Sequence, residues 1–354
     1  MRYKFSDLYY DDTKNAKKLK SSEYKNVGKY IIVDQGKSLI AGYTDNEDGL
    51  YTDVPAIIFG DHTRNIKYID SPFFLGADGT KVLKSPLKSV NYKYLYYLLK
   101  NASIPDTGYN RHFKWVKELM FKYHSQEQQN QIVTILDKLD STIIKYREEL
   151  SLLDELVRAR FVEMFGGVND SIVYSYKKLN EITDIISGGT PKRDKPEYWE
   201  NGIIPWVKTT ELKNNKITYV EEYITQKGLS ESSAKLVPQG TVLVAMYGQG
   251  KTRGMTAYLN VEASTNQACA CILPSEEVNS IFLWKYLEFS YVKLRSLAKG
   301  AGQPNLNVNM IKEFSILVPP LNLQEEYASF VQEIDKSRLL ELLAIEHIEL
   351  LLND

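Results

Sequence analysis

The run Ala245-Met246-Tyr247-Gly248-Gln249-Gly250-Lys251-Thr252 ends in Gly-Lys-Thr and follows a strand-like segment, Thr241 to Met246. The spacing matches a relaxed phosphate-binding loop with Ala in place of the first Gly. Such a loop holds phosphates when it opens into a helix whose N-terminal amides point at them. Here Arg253-Gly254-Met255-Thr256-Ala257-Tyr258 follows and reads as another strand, and no hydrophobic run ending in Asp is placed to hold magnesium. An NTP-dependent enzyme using Gly250-Lys251-Thr252 is therefore the weaker alternative, and phosphate contact to nucleic acid suits the same residues better. Cys269 and Cys271 alternate in the strand-like Ala-Cys-Ala-Cys-Ile-Leu run with no further Cys, which reads as small core or surface residues rather than a metal or redox pair. His62, His112, His124 and His347 are scattered without metal spacing. His62 beside Asp61 has the types of a catalytic pair, yet a loop His contacting a base or the backbone is the ordinary account. No Asn-Pro-Pro-Tyr-like adenine methylation motif occurs. The chain is expected to catalyse nothing alone and to bind neither cofactor nor metal.

Composition bounds the rest. The 354 residues carry 43% hydrophobic side chains, enough for a core in each of two or three domains. No apolar run approaches the ~18 residues that span a bilayer, and the first residues lack a signal-peptide core, so a cytoplasmic, reducing location and no membrane partner are expected. The net charge of −1 lacks the basic excess usual in proteins that hold nucleic acid through phosphates. Basic residues do collect locally: Lys192, Arg193 and Lys195 in one loop, Lys251 and Arg253 in another, Lys293, Arg295 and Lys299 near a third. Charge alone leaves DNA binding undecided.

The elements that must position these loops occur twice. Gln126, Glu127, Ile132, Val133, Leu136, Asp137 and Lys138 align with Gln324, Glu325, Phe330, Val331, Ile334, Asp335 and Lys336 at an offset of 198. Upstream the offset drifts: Lys4 to Leu8 matches Lys178 to Ile182 at 174, Tyr94-Leu95 matches Phe282-Leu283 at 188, and Lys117 to Leu119 matches Lys312 to Phe314 at 195. A repeat this long is a duplicated domain plus its helix, not a solenoid unit. Gln126 to Phe165 contains no Gly or Pro and repeats apolar residues at spacings of three and four, which predicts one helix ended by Gly166-Gly167. At 1.5 Å per residue it would be a rod of roughly 60 Å, too long for one small core. A second helix is predicted from about Gln324 to Leu351, and the two stripes could pair as an antiparallel coiled coil or recruit helices of another subunit. The resulting order is a strand-rich domain over residues 1–125, a helix over 126–166, a second such domain over 167–323 and a helix over 324–354, an α+β architecture.

In the second domain the loops read Ser187-Gly188-Gly189-Thr190-Pro191-Lys192, Pro205-Trp206-Val207-Lys208-Thr209-Thr210, the Gly-rich hairpin, and Lys299-Gly300-Ala301-Gly302-Gln303-Pro304-Asn305. Pro319-Pro320-Leu321 then enters the second helix, and the first closes on Arg158-Ala159-Arg160-Phe161-Val162-Glu163-Met164-Phe165-Gly166. These segments, in this order over essentially the whole chain, resemble the specificity subunits of Type I restriction-modification systems. The resemblance implies two duplicated target recognition domains, each reading one half of a bipartite site in double-stranded DNA, separated by the antiparallel helices. The helices would set the gap between half-sites and dock two adenine methyltransferase subunits, with restriction-translocase subunits as a further partner class. S-adenosylmethionine, ATP and magnesium would then belong to those partners. The first domain departs from the pattern: Tyr9-Tyr10-Asp11-Asp12 stands near the place of the Ser-Gly-Gly-Thr-Pro loop, and Phe59-Gly60-Asp61-His62-Thr63-Arg64 at the hairpin. A coiled-coil scaffold without DNA readout is the competing reading.

Within that resemblance, side-chain chemistry selects candidates. Arg and Lys reach guanine N7 and O6, Asn and Gln read adenine bidentately, and Thr or backbone amides suit phosphates. The DNA-contacting set is then Gln35, Lys37, His62, Thr63, Arg64, Arg111 and Lys114 in the first domain. In the second it is Lys192, Arg193, Lys208, Thr209, Gln249, Lys251, Arg253, Gln303 and Asn305. The partner-binding helix positions are Ile132, Leu139, Leu150, Phe161, Phe330, Ile334 and Leu342.

Overall fold

Residues 2–76, 78–168, 174–248, 250–298 and 304–353 are described by a computed structural model. They divide into two compact units, Met1–Arg147 with Leu343–Asp354, and Glu148–Leu342.

The first unit is built around Ala56–Gly60, whose continuous apolar run follows from burial on both faces. Side chains alternate across a strand. Ile57 and Phe59 therefore join a core with Leu8, Tyr9, Tyr94 and Leu95, while Ala56 and Ile58 join Val33, Phe73 and Leu75 on the other side. The strand sits in an antiparallel sheet ordered Tyr10–Asp11, Thr80–Lys84, Ala56–Gly60, Ile66–Ile69. A second sheet orders Gly42–Thr44, Tyr30–Val33 and Phe73–Leu75, the last pair parallel. Arg2–Lys4 pairs with Met120–Lys122. The helix Tyr92–Lys100 is capped by Asn91, whose side chain accepts from the Tyr94 amide.

The second unit repeats this plan strand for strand. One sheet orders Ile185–Ser187, Cys269–Ile272, Val242–Ala245 and Thr256–Leu259, and adds Asn215–Ile217 at its edge. The other orders Glu222–Ile224, Ile204–Val207 and Ala263–Thr265, again with the last pair parallel, and adds Leu236–Val237. Tyr176–Lys178 pairs with Ser315–Leu317. Val242 and Val244 face the core beneath the helix Ser280–Phe289, and Leu243 and Ala245 face the core between the sheets together with Cys269 and Cys271. Both cysteines are buried and free, and burial pushes the Cys271 thiol up to about 11.

The first long helix spans Gln126–Phe165, as its spacing predicts. The second spans Leu321–Asn353 and starts directly after Pro320, three residues before the expected Gln324. The register of the repeat differs accordingly. Gln129 and Gln324 each donate a side-chain amide to the carbonyl five residues back, His124 O at 2.9 Å and Pro319 O at 2.7 Å. These glutamines, the helix starts and the preceding strands are all related by 195, not by the 198 of the sequence match. Three residues is close to one turn, so the 198 alignment presents the same apolar face and is not distinguished by pattern alone.

The helices pair antiparallel. In the second unit Asp154 bridges Arg338 at 2.6 Å, the Tyr327 hydroxyl donates to Val157 O, and Arg160 bridges Glu326 at 2.7 Å. In the first unit Arg147 bridges Glu349 at 2.8 Å. Among the described residues no helix is long and apolar enough to cross a membrane.

Candidate nucleic-acid interface

Topology gathers three loops at one pole of each unit. In the first, the parallel register of Val33 with Leu75 sets residues 34–37 beside Gly76, Asp78 and Gly79, and Gly60 opposite Thr80 brings in the hairpin 61–65. The Gly76 amide donates to Val33 O and the Asp61 amide to Gly79 O, each at 2.7 Å. In the second unit Val207 lies beside Thr265 and Ala245 opposite Cys269, so residues 208–211, 246–248, 250–255 and 266–268 converge in the same way. The equivalent bonds recur: Asn266 N to Val207 O at 2.9 Å and Met246 N to Ala268 O at 2.8 Å.

At the first pole Gln35, His62 and Thr63 are in contact. Gln35 accepts from the His62 amide at 3.2 Å and donates to Asp78 O at 2.9 Å, and its carbonyl accepts from Thr63 Oγ1 at 2.5 Å. The His62 ring stacks on Tyr109, centroids 4.9 Å apart, and Tyr109 is 88% exposed. Lys37, Arg111 and Lys114 are exposed; Arg111 lines a hollow with Lys81, Lys114 and Lys117 beside Asp61 and Glu118. Two expectations change. Arg64, at φ 59°, spends its guanidinium on Ile104 O and on Asp106 at 2.6 Å, so it fastens the 104–106 loop rather than reaching outward. Asp61 is buried and accepts from the Phe113 amide at 2.7 Å, while its carbonyl meets His112 Nδ1 at 3.0 Å, so it is a brace and not a partner for the His62 ring.

At the second pole the cations form two groups. Arg193 lies 3.7 Å from the Trp199 ring centroid and 4.8 Å from that of Trp206, and pairs with Glu222. Lys208 joins the same carboxylate at 2.9 Å and Glu221 at 2.7 Å. Burial raises the Glu222 pKa, but Arg193 and Lys208 more than undo this and hold it below the ordinary range. Hydrogen bonds to Glu221 and Glu222 raise the Lys208 pKa. Lys192 is exposed, with its carbonyl taken by Trp199 Nε1.

In the hairpin, Tyr291 donates to Lys251 O at 2.7 Å and Arg295 to Arg253 O at 2.8 Å, which leaves the Lys251 ammonium exposed. Asn305 lies beside the hairpin base, next to Leu306, whose amide bonds Met246 O. Its Oδ1 is buried with no partner. Here too expectations shift: Arg253 is turned inward onto Pro304 O, and Thr209 is buried at the start of a short turn. Gln249 and Gln303 lie outside the described residues. Gly254 N bonds Ala245 O and Ala245 N bonds Met255 O. The Gly-Lys-Thr segment therefore closes a hairpin and offers no helix N-terminus to a nucleotide.

Several residues at the poles escape selection by side-chain type. Lys67 is buried and donates to Asp34 O and Ser38 O at 2.7 and 2.6 Å, fixing the 34–38 loop from below. Asn266 and Gln267 occupy the pole because of the parallel strand pair, and Gln267 meets Thr190. Tyr109, stacked on His62 at the first pole, and Tyr247, next to Gly248 in the hairpin of the second, are exposed aromatics.

On the helices, Phe161 is 1% exposed and packed by Phe282, Phe289 and Tyr327, so it is core and not a partner contact. Ile132 packs against the core of the first unit, and Phe330 and Ile334 against that of the second. Leu139 and Leu150 are half-buried and Leu342 is 48% exposed. The more exposed apolar side chains are Ile135, Ile144, Leu152, Leu339, Leu340 and Leu350. Among the described residues no cluster of His, Cys, Asp or Glu could hold a metal ion.

The model of the Type I restriction modification DNA specificity domain family matches residues 6–152 and 173–350. Over 332 residues the chain is 25% identical to the Type I restriction enzyme EcoR124I/EcoR124II specificity subunit of Escherichia coli, covering 90% of this chain and 81% of that one. It is 23% identical over 277 residues to the MjaIX specificity subunit of Methanocaldococcus jannaschii, covering 70% of this chain and 63% of the relative. Its fold is similar to that of a Type I restriction-modification S subunit from M. genitalium, with TM-score 0.64 and 16% identity over all of this chain and 94% of that one. A chain from a study of complex assembly and conformational transition of the Type I system aligns with TM-score 0.57 and 14% identity, over all of this chain and 95% of that one.

Proposed function

The chain belongs to the Type I restriction modification DNA specificity family, and on that premise we propose that each unit reads one half of a bipartite site in double-stranded DNA through its three-loop pole. The observation that carries this reading is the pole itself, built twice by one topology from different side chains. Two similar frames with different loops suit the reading of two different half-sequences. Gln35, Lys37, His62 and Thr63 face the first half-site, with Arg111 and Lys114 beside them. Lys192, Arg193, Lys208, Lys251 and Asn305 face the second, with Gln249 and Gln303 completing the set.

The long helices set the distance between half-sites and carry two adenine methyltransferase subunits on side chains such as Ile135, Ile144, Leu339 and Leu340, which are exposed and apolar. S-adenosylmethionine belongs to those subunits, and ATP and magnesium to a restriction-translocase subunit. The chain itself supplies sequence choice and no chemistry.

The test is co-expression with an adenine methyltransferase subunit of the same system in a host without adenine methylation, followed by single-molecule mapping of modified bases. A split methylated motif that vanishes without this chain is the expected result. A contiguous motif, or methylation independent of the chain, would refute the assignment, and a soluble complex that methylates nothing would favour the scaffold reading.

A further inference from the structure

Several cations at the poles are already committed: Arg193 and Lys208 rest on Glu222, and Arg64 on Asp106. One stretch of the first unit keeps its charge. Arg111-His112-Phe113-Lys114-Trp115-Val116-Lys117 carries three cations and no carboxylate, and among the described residues none of the three has an ion-pair partner. Lys114 and Lys117 are three apart on the short helix Phe113–Val116 and its cap, which sets them on one side. With Arg111 and Lys81 they line a hollow of about 450 Å³, four cations against the carboxylates of Asp61 and Glu118. Asp61 is spent on the Phe113 amide, and Lys81 also meets Asp11 at 2.9 Å. The ammonium groups of Lys81 and Lys117 lie 5.2 and 5.0 Å from the centroid of the buried Phe113 ring, and that of Lys114 lies 4.9 Å from Trp115. An aromatic face holds an ammonium in place without neutralising it, so these charges are positioned and still available to an anion.

The hollow adjoins the first pole, because Asp61 begins the hairpin 61–65 and its carbonyl accepts from the His112 amide at 2.8 Å. The second unit has no such hollow. Leu306 bonds Met246 as His112 bonds Asp61, and Leu179 bonds Phe314 as Phe5 bonds Leu119. The matching stretch 306–314 therefore has only Lys312 and Glu313 as charged residues. The place of Lys81 belongs to Ala270, which is buried.

We propose that Lys81, Arg111, Lys114 and Lys117 grip the phosphodiester backbone of DNA beside one half-site and read no base. The proposal rests on the assignment of DNA reading to the poles. It gives the first unit an anchor that the second lacks, and it reassigns Arg111 and Lys114 from base edges to phosphate.

The experiment takes the complex of this chain with the methyltransferase subunits of its system and a duplex carrying the mapped motif, and follows affinity through a salt series. Lys114→Gln with Lys117→Gln removes two exposed charges that hold no ion partner. Affinity should fall about tenfold, and the slope of log affinity against log salt should become shallower by about two, while the motif stays the same. Lys114→Arg with Lys117→Arg should keep the slope. Replacing single phosphates by neutral methylphosphonates should weaken binding beside one half-site only, and that effect should disappear in the Gln variant. Motif-selective binding with an unchanged slope overturns the hollow and leaves the poles standing. A motif that loosens in one half would make these residues base readers, and a methylphosphonate effect that persists would give the hollow to an acidic protein surface; either overturns the proposal. An unaltered complex that prefers no sequence refutes the reading by the poles and this proposal with it.

Discussion

Arg193 and Lys208 are the cations whose type suggests DNA, yet both rest on Glu222. Glu222 comes 29 residues after Arg193 and meets it only because Glu222–Ile224 pairs antiparallel with Ile204–Val207, Trp206 lying opposite Glu222. Side-chain type was legible in the sequence, whereas occupancy was not, because ion partners are set by strand register. The same reason hid the pairing of Arg64, whose partners Ile104 and Asp106 lie in a separate loop. The Glu222 carboxyl titrates below its ordinary 4.5. A carboxyl with a lowered folded pKa contributes stability that is complete above its unfolded value and is lost as pH falls through the folded one. Glu222→Gln should therefore lower stability by about 1 kcal/mol at neutral pH, the scale of a partly exposed network, with the difference vanishing well below 4.5. Urea midpoints of both chains at neutral and at acid pH check this; a difference that persists in acid would remove the ion pairs as its cause.

The long helices show how far periodicity carries and where it stops. Apolar spacing and the absence of Gly and Pro located Gln126–Phe165, but a shift of three residues leaves the same face forward, so the register of the repeat emerged only from the paired glutamines. Periodicity also leaves open which apolar residue meets a partner. Phe161 has the spacing of a seam residue and turns out to fill a core, so Phe161→Ala should destabilise the second unit by about 3–5 kcal/mol. That should appear as an early transition in urea unfolding, with the exposed helix side chains still presented in the native state; an unchanged unfolding curve would contradict the packing. The proposed spacing role makes a separate demand. A heptad inserted after Arg147 alone displaces the partners of Asp154–Arg338 or of Arg147–Glu349. Matched heptads in both helices restore register and face, and add about 10 Å, so the methylated motif should gain about three base pairs between unchanged half-sites. An unaltered gap in that doubly extended chain would show that the helices do not set it.

On the proposed reading, two units of one topology make sequence preference local to each. The duplicated plan was visible in sequence through its most buried pieces, such as Tyr94-Leu95 and Phe282-Leu283. The added strands Asn215–Ile217 and Leu236–Val237 were not visible, since each is short and has no counterpart to align. Residues 266–268 were passed over because a parallel pairing, which no local pattern encodes, brings them to the pole. If reading resides in these loops, replacing residues 61–65 with the corresponding hairpin of another specificity subunit should change one half of the methylated motif and leave the other half and the gap untouched. The backbone bonds Asp61 N to Gly79 O and Gly60 N to Asn65 O survive the exchange, whereas the side-chain anchors of Asp61 on the Phe113 amide and of Arg64 on Asp106 survive only if the incoming hairpin keeps Asp61 and Arg64. Motif mapping of the chimera decides the matter: a change in both halves would mean that the two poles do not read independently, and no change at all would place recognition outside the hairpin.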